Sequence, residues 1–156
     1  SSWAPYLKED SAKKYGRYYS WTGAISAPDS CSEKFCNIQG LRRGVCPSGW
    51  HIPSSNEFLE LSQYAMAYDS IRKYGLSSSL FSENDIFGFS AVKIGPIQNR
   101  QTFYPNKSSL FLLSSSEHWR EPSMRGPYFT AYTNAAKSGV SPAIKKYAGA
   151  VRCLSD

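Results

Sequence analysis

Long hydrophobic runs are missing from this chain. The strongest, Leu110-Phe111-Leu112-Leu113, falls far short of the roughly 20 apolar residues a membrane-spanning helix needs. No secretory leader is visible, and the chain opens at Ser1 without methionine, as expected of a mature or trimmed chain. There is no C-x-x-C pair, and the two histidines, His51 and His118, stand far apart without zinc-finger spacing. Nothing therefore outlines a structural zinc site. A thiol nucleophile would want a nearby base in an electropositive pocket, and no pattern marks one. No Ser-His-Asp or paired-carboxylate arrangement stands out. Glu117 and His118 adjoin, which on a strand sends their side chains to opposite faces. These absences lead to the expectation of a protein that is not an enzyme and holds no cofactor and no metal. No internal repeat and no long linker divides the chain. Residues 1–156 are read as one domain, with 1–14 as a polar leading segment anchored at Trp3.

What is present fits an ordered globular protein. Hydrophobic residues are 41% and charged residues 19%, outside the composition of disordered chains. A chain of 156 residues buries roughly 70% of its unfolded surface, enough for a real core. Tyrosine dominates the aromatics with 11 residues; its flat apolar face and wet hydroxyl suit strands and carbohydrate-facing surfaces alike. The net charge of +6 invites a nucleic-acid reading. Yet the basic residues fall in scattered pairs, Lys13-Lys14, Arg42-Arg43 and Lys145-Lys146, and read as solvated surface, with no nucleic-acid partner expected. Such a surface still suits acidic polysaccharides or anionic cell surfaces.

Four cysteines, Cys31, Cys36, Cys46 and Cys153, permit three pairings. Their even number fits an oxidising compartment. The favoured pairing is Cys31–Cys36 with Cys46–Cys153, which clips one small loop and closes almost the whole domain. The rival, Cys31–Cys46 with Cys36–Cys153, stays open.

Local patterns predict an α+β fold of one or two helices with short antiparallel strands and long loops. Tyr15–Trp21 is aromatic and β-prone, and a short helix is expected over 22–27, before Pro28. Residues 28–44 carry loop chemistry. Trp50–Pro53 reads as extended, because Pro53 disfavours helix before it. Ser54 and Glu57 form an S-x-x-E capping box, and Phe58, Leu59, Leu61, Ala65 and Met66 recur at helical spacing, predicting a helix over 55–67. A second helical stretch is expected over 70–74. Strands are expected over 87–94, 101–104, 109–114, 128–133 and 148–154, with Gly139 and Pro142 among the turn signals between them. Trp21 and Trp50 are assigned to the core. Asn106-Lys107-Ser108 matches a glycosylation sequon by pattern alone.

Five ordered motifs make a more specific statement. Tyr15-Gly16-Arg17-x-Tyr19-x-Trp21, Cys46-Pro47-Ser48-Gly49-Trp50-His51-Ile52-Pro53-Ser54, Phe87-Gly88-Phe89-Ser90-Ala91, Ser114-Ser115-Ser116-Glu117 and Val151-Arg152-Cys153 together resemble the Fibrobacter succinogenes major paralogous domain. That family looks like a branch of the C-type-lectin-like superfamily, which includes the formylglycine-generating enzymes. The resemblance implies a compact, C-type-lectin-like domain with its termini close together. It also implies a place in secreted or surface lipoproteins of bacteria, with an outer-membrane-anchored parent among the options. Two departures stand out: Leu112-Leu113 precede Ser114 where the family often has Trp, and Tyr147-Ala148-Gly149-Ala150 replaces a frequent Gly-Phe-Ser type stretch.

The superfamily's calcium-dependent lectins grip sugar through Glu-Pro-Asn or Gln-Pro-Asp and Trp-Asn-Asp tripeptides. Glu121-Pro122-Ser123 half resembles the first, the second is absent, and a plain loop turn is the simpler reading. The copper-binding cysteine pair of the formylglycine-generating enzymes has no counterpart between Cys46 and Cys153. Trp119 lies in a polar, turn-rich stretch. With Arg120, Arg125, Tyr128 and Tyr132 near it in sequence, it outlines an aromatic and cationic platform that could stack on sugar rings and bridge hydroxyls or carboxylates; ordinary loop packing is the alternative. The expected function is a non-catalytic binding or adhesion module, extracellular or on the bacterial cell surface, with a polysaccharide or another surface protein as partner. A structural or assembly domain is the second reading.

Overall fold

A computed structural model describes residues 2–3, 16–66, 110–118, 128–133 and 139–156. In chain order the elements are β1 (Ser2–Trp3), β2 (Tyr18–Ser20), α1 (Trp21–Ile25), a 3-10 turn (Asp29–Ser32), β3 (Trp50–His51), α2 (Ser55–Met66), β4 (Phe111–His118), β5 (Tyr128–Thr133), β6 (Gly139–Ile144), β7 (Ala148–Ala150) and β8 (Leu154–Ser155). Helices and short strands mix as the sequence predicts, and two disulfides clasp them. Among the described residues the strands form one sheet in the order β1-β2-β7-β4-β5-β6 and a small ribbon of β3 and β8. All pairs are antiparallel except β4 with β7, which meet in parallel at Leu112 and Ala150. The predicted helix over 70–74, the strands over 87–94 and 101–104, and the sequon at 106–108 lie outside the described residues.

Local chemistry explains the first helix. Ser20 is extended, and its hydroxyl accepts from the Gly23 N–H at 3.2 Å, satisfying one of the donors a helix start leaves open. Ser26 closes it in the left-handed region, φ 56°. The helix therefore starts one residue earlier than predicted and ends before Ala27. It delivers Trp21, Ala24 and Ile25 to a core shared with Cys46, Ile52, Phe111, Leu113 and Ala143. Two glycines permit this packing. A Cβ at Gly44, whose φ is +52°, would fall on the Ala24 carbonyl; one at Gly149 would press on the Phe111 ring at 2.7 Å.

Three sequence expectations change. Gly139 and Pro142 are not turns but lie within β6, which pairs with β5. Among the described strands β6 is the sheet edge, where a proline can face away from the ladder without breaking it. The strand expected over 148–154 splits, because the Cys46–Cys153 disulfide draws the chain away from β7 to pair with β3. Trp50, expected in the core, is 44% exposed, while its strand neighbour His51 turns inward.

The largest departure concerns charge. Lys145, expected on the surface, has a fully buried side chain, as does Glu117 at 1% exposure, and the two form an ion pair. The Lys145 ammonium also donates to the carbonyls of Cys31 and Lys34, each at 2.8 Å, and sits 4.5 Å from the Trp21 ring centroid. Its three N–H donors thus have three acceptors. Glu117 accepts from the backbone N–H groups of Cys36 and Ile38, both at 2.8 Å. Burial pushes the Glu117 pKa up, but the Lys145 and backbone hydrogen bonds outweigh it and hold it below the ordinary value. The Trp21 indole N–H donates to the Ser114 carbonyl at 3.0 Å. The loop around the Cys31–Cys36 disulfide is thereby tied to β4 and to the residue after β6.

Two stability outcomes follow. Lys145→Ala strands a buried carboxylate and destabilises by about 3–5 kcal/mol in denaturant titration. Adding Glu117→Leu does not restore stability, because the Cys36 and Ile38 N–H groups then lack an acceptor; full recovery would show the pair to be dispensable. Removing Cys46–Cys153, which spans 107 residues, costs about 4–5 kcal/mol, against about 2 for Cys31–Cys36 with its span of 5, on the chain-entropy account. Equal losses in paired Cys→Ala variants would contradict this ranking.

Candidate ligand-binding cleft

The sheet is irregular where β4 nears α2. β4 pairs with β5 at Leu113–Ala131 and resumes at Glu117–Phe129, so Ser114, Ser115 and Ser116 oppose Thr130 alone. A bulge of this kind frees backbone and side-chain groups for other work. The Ser115 N–H donates to the Pro53 carbonyl, and the Ser116 hydroxyl accepts from the Ser55 N–H, both at 2.9 Å. The start of α2 is thus docked on the bulge. The segment Ile38–Leu41, positioned by the Glu117 carboxylate, forms a third wall. Between them lies a cleft of about 550 Å³, lined by Gln39, Leu41, Ser55, Ser115, Glu57 and His51 among others.

The predicted capping box is formed. Glu57 Oε2 accepts from the Ser54 N–H at 2.7 Å and from the Ser54 hydroxyl at 2.8 Å, while the Glu57 N–H donates back to that hydroxyl at 3.3 Å. The other carboxylate oxygen reaches His51 Nε2 at 2.8 Å, and His51 Nδ1 meets Asp156 Oδ1 at 2.7 Å. A neutral imidazole has one donor and one acceptor, whereas ionised carboxylates only accept. Two such contacts at once call for the imidazolium. Burial, with the ring 4% exposed, works against that charge. The hydrogen bonds and charges of Glu57 and Asp156 prevail and raise the His51 pKa above 6.5. For Glu57, burial raises the pKa, but the Ser54 and His51 hydrogen bonds prevail and lower it below 4.5.

Chemically, the cleft offers hydroxyls, a partly exposed carboxylate and an imidazolium already held on both sides. The four cysteines are all in disulfides. Among the described residues, no group of three metal-ligating side chains is placed to hold an ion.

Of the platform residues expected from sequence, Trp119, Arg120 and Arg125 lie outside the described residues, as does Glu121-Pro122-Ser123. Tyr128 and Tyr132 belong to β5, where the register sets them opposite His118 and Leu112 of β4. Sequence reading placed several cleft residues in family motifs but did not single them out as a site. Glu57 was visible only as a helix cap. His51 and Asp156 are 105 residues apart, and the one signal joining them is the Cys46–Cys153 pairing, which carries Leu154–Asp156 alongside Gly49–His51. The Asp156 N–H donates to the Gly49 carbonyl at 3.0 Å.

The family described as Fibrobacter succinogenes major domain is matched over residues 3–154, and the chain belongs to that family. No curated protein and no solved structure matches it. The motifs around Trp50–Ser54 and Ser114–Glu117 are those that meet at the cleft.

The His51 clasp sets a pH window. A raised histidine pKa contributes stability fully present below 6.5 and lost as pH rises through the folded value. The lowered Glu57 pKa contributes above 4.5 and is lost as pH falls through its folded value. The clasp is strongest between these limits. NMR titration should place His51 above 6.5, and Asp156→Asn should move it down; a His51 that titrates below 6.5 in the unmodified protein would refute the imidazolium assignment.

Proposed function

We propose that this member of the Fibrobacter succinogenes major domain family is a non-catalytic binding module of a secreted or surface-anchored bacterial protein. Its ligand is a polysaccharide or another surface protein. The observation that carries this reading is the state of the cleft's ionisable groups: His51, Glu57 and Glu117 each hold partners inside the protein, leaving a hydroxyl-rich surface suited to binding. Two disulfides support an oxidising compartment, which agrees with a place outside the cytoplasm. A single C-type-lectin-like domain is the architecture we assign. Its support is the α+β arrangement and the pairing of β1, through β2, with β7 near the other end of the chain. Trp119, Arg120, Arg125, Tyr128 and Tyr132 remain our proposed aromatic and cationic platform.

A structural or assembly role is the second reading. Phe35, Leu41, Trp50, Leu59 and Tyr64 are large apolar side chains with 43% exposure or more, and exposed apolar surface suits contact with other domains when it is contiguous.

The test is an array of polysaccharides probed with the oxidised protein, with and without calcium. Calcium-independent binding to one polysaccharide class is expected. Trp119→Ala should abolish that binding while changing stability by less than about 1 kcal/mol, as for a surface substitution. Binding only with calcium would contradict the metal-free reading, and no binding in either condition would exclude a polysaccharide ligand in favour of protein partners.

A further inference from the structure

We infer that the cleft between Ile38–Leu41, the start of α2 and the bulge of β4 is itself a carbohydrate site, and that it takes a neutral, hydroxyl-rich chain in preference to an acidic one. This rests on the binding-module reading and gives it a second location and a ligand class. The volume of about 550 Å³ is within the range of small-ligand sites, roughly 300–1,000 Å³. The Ser114 hydroxyl accepts from the Ser116 N–H and the Ser116 hydroxyl from the Ser55 N–H, but the hydroxyls of Ser55 and Ser115 engage no other described residue. A hydroxyl both donates and accepts, the pairing that a sugar hydroxyl reciprocates. Glu57 Oε1 has a lone pair beyond the one His51 uses, and its side chain is 29% exposed, so it can accept from a ligand O–H. Leu41, 66% exposed at the rim, offers an apolar patch for the C–H face of a ring.

Charge decides between sugar classes. The whole chain carries +6, which would favour a uronate-bearing polysaccharide. Locally the balance reverses. Among the described residues, no Lys or Arg lines the cleft. Its one cation, His51, already lies between Glu57 and Asp156, and Lys145 is buried against Glu117. Three carboxylates against His51 and Lys145 leave one net negative charge. Among the described lining residues an incoming carboxylate would find no free cation, and it would face Glu57 in a partly desolvated space, where like charges repel more strongly than in water. A neutral chain meets no such opposition.

The test is calorimetric binding of the oxidised full chain to three probes: neutral gluco- or xylo-oligosaccharides, an oligogalacturonate, and a chitosan oligomer. Two variants accompany it. Ser55→Trp fills the cleft while keeping the N–H that bonds Ser116, and Ser115→Ala deletes one hydroxyl. The expected result is preference for the neutral probe, with affinity lost by more than tenfold in Ser55→Trp and about threefold to tenfold in Ser115→Ala, and with little change in melting temperature. Preference for the galacturonate or the chitosan oligomer overturns the charge argument. Neutral binding that survives both variants but is lost in Trp119→Ala overturns the cleft and leaves the binding-module reading standing. If none of the three probes binds, both the cleft assignment and a glycan-binding module fall together.

Discussion

The buried pair of Lys145 and Glu117 is the contact on which the rest of the described structure leans. Neither charge is open to water, so each must be matched locally, and the matching recruits distant parts of the chain. Lys145 reaches the carbonyls of Cys31 and Lys34, and Glu117 reaches the N–H groups of Cys36 and Ile38. A loop with few apolar anchors is thereby ordered by hydrogen bonds to charge, which are stronger than neutral ones. The Trp21 ring lies against the ammonium and joins this polar junction to the apolar core. An apolar substitute for the pair could fill the space but would leave the loop's backbone groups without partners. That is why the charges are built in despite their desolvation cost.

The cleft depends on the same junction. Its wall at Ile38–Leu41 is placed by Glu117, and the neighbouring Ser114–Ser116 bulge exists because β4 slips past β5 before Glu117 pairs. The opposite wall is the capped start of α2, where Glu57 serves two masters, the helix terminus and His51. Capping alone would fix Glu57 over Ser54. The second contact ties α2 to the β3–β8 ribbon, so a helix start, a histidine and an acidic residue after the last strand are joined by hydrogen bonds. Basic overall charge and an acidic balance among the described cleft residues coexist because His51 lies between carboxylates and Lys145 is buried against Glu117.

Much of this was legible residue by residue. Ser54 and Glu57 announced the capping box, and the apolar spacing from Phe58 announced α2, because both signals act within one or two turns. The disulfides form in the favoured pairing, and two of the five family motifs meet along the walls of the cleft. Where reading failed, the missing information was non-local. Pro142 signals a turn anywhere but a sheet edge, and only the strand order places β6 at an edge. Trp50 looked like core because it is large and apolar, yet alternation along β3 sent His51 inward in its place.

By itself, then, the sequence determined the local features of this protein and its kinship: the capping box at Ser54, the mixed α+β character and family membership, with the clasp between Cys46 and Cys153 favoured over its rival. These follow from short-range sterics, hydrogen bonding and ordered motifs. Only the tertiary structure decided that Lys145 is interior, that His51 lies between two carboxylates, and that three serines form a bulge beside a helix start. Burial and partner choice depend on residues up to 114 positions apart, and a pairing across that distance comes into being only when the whole sheet is assembled.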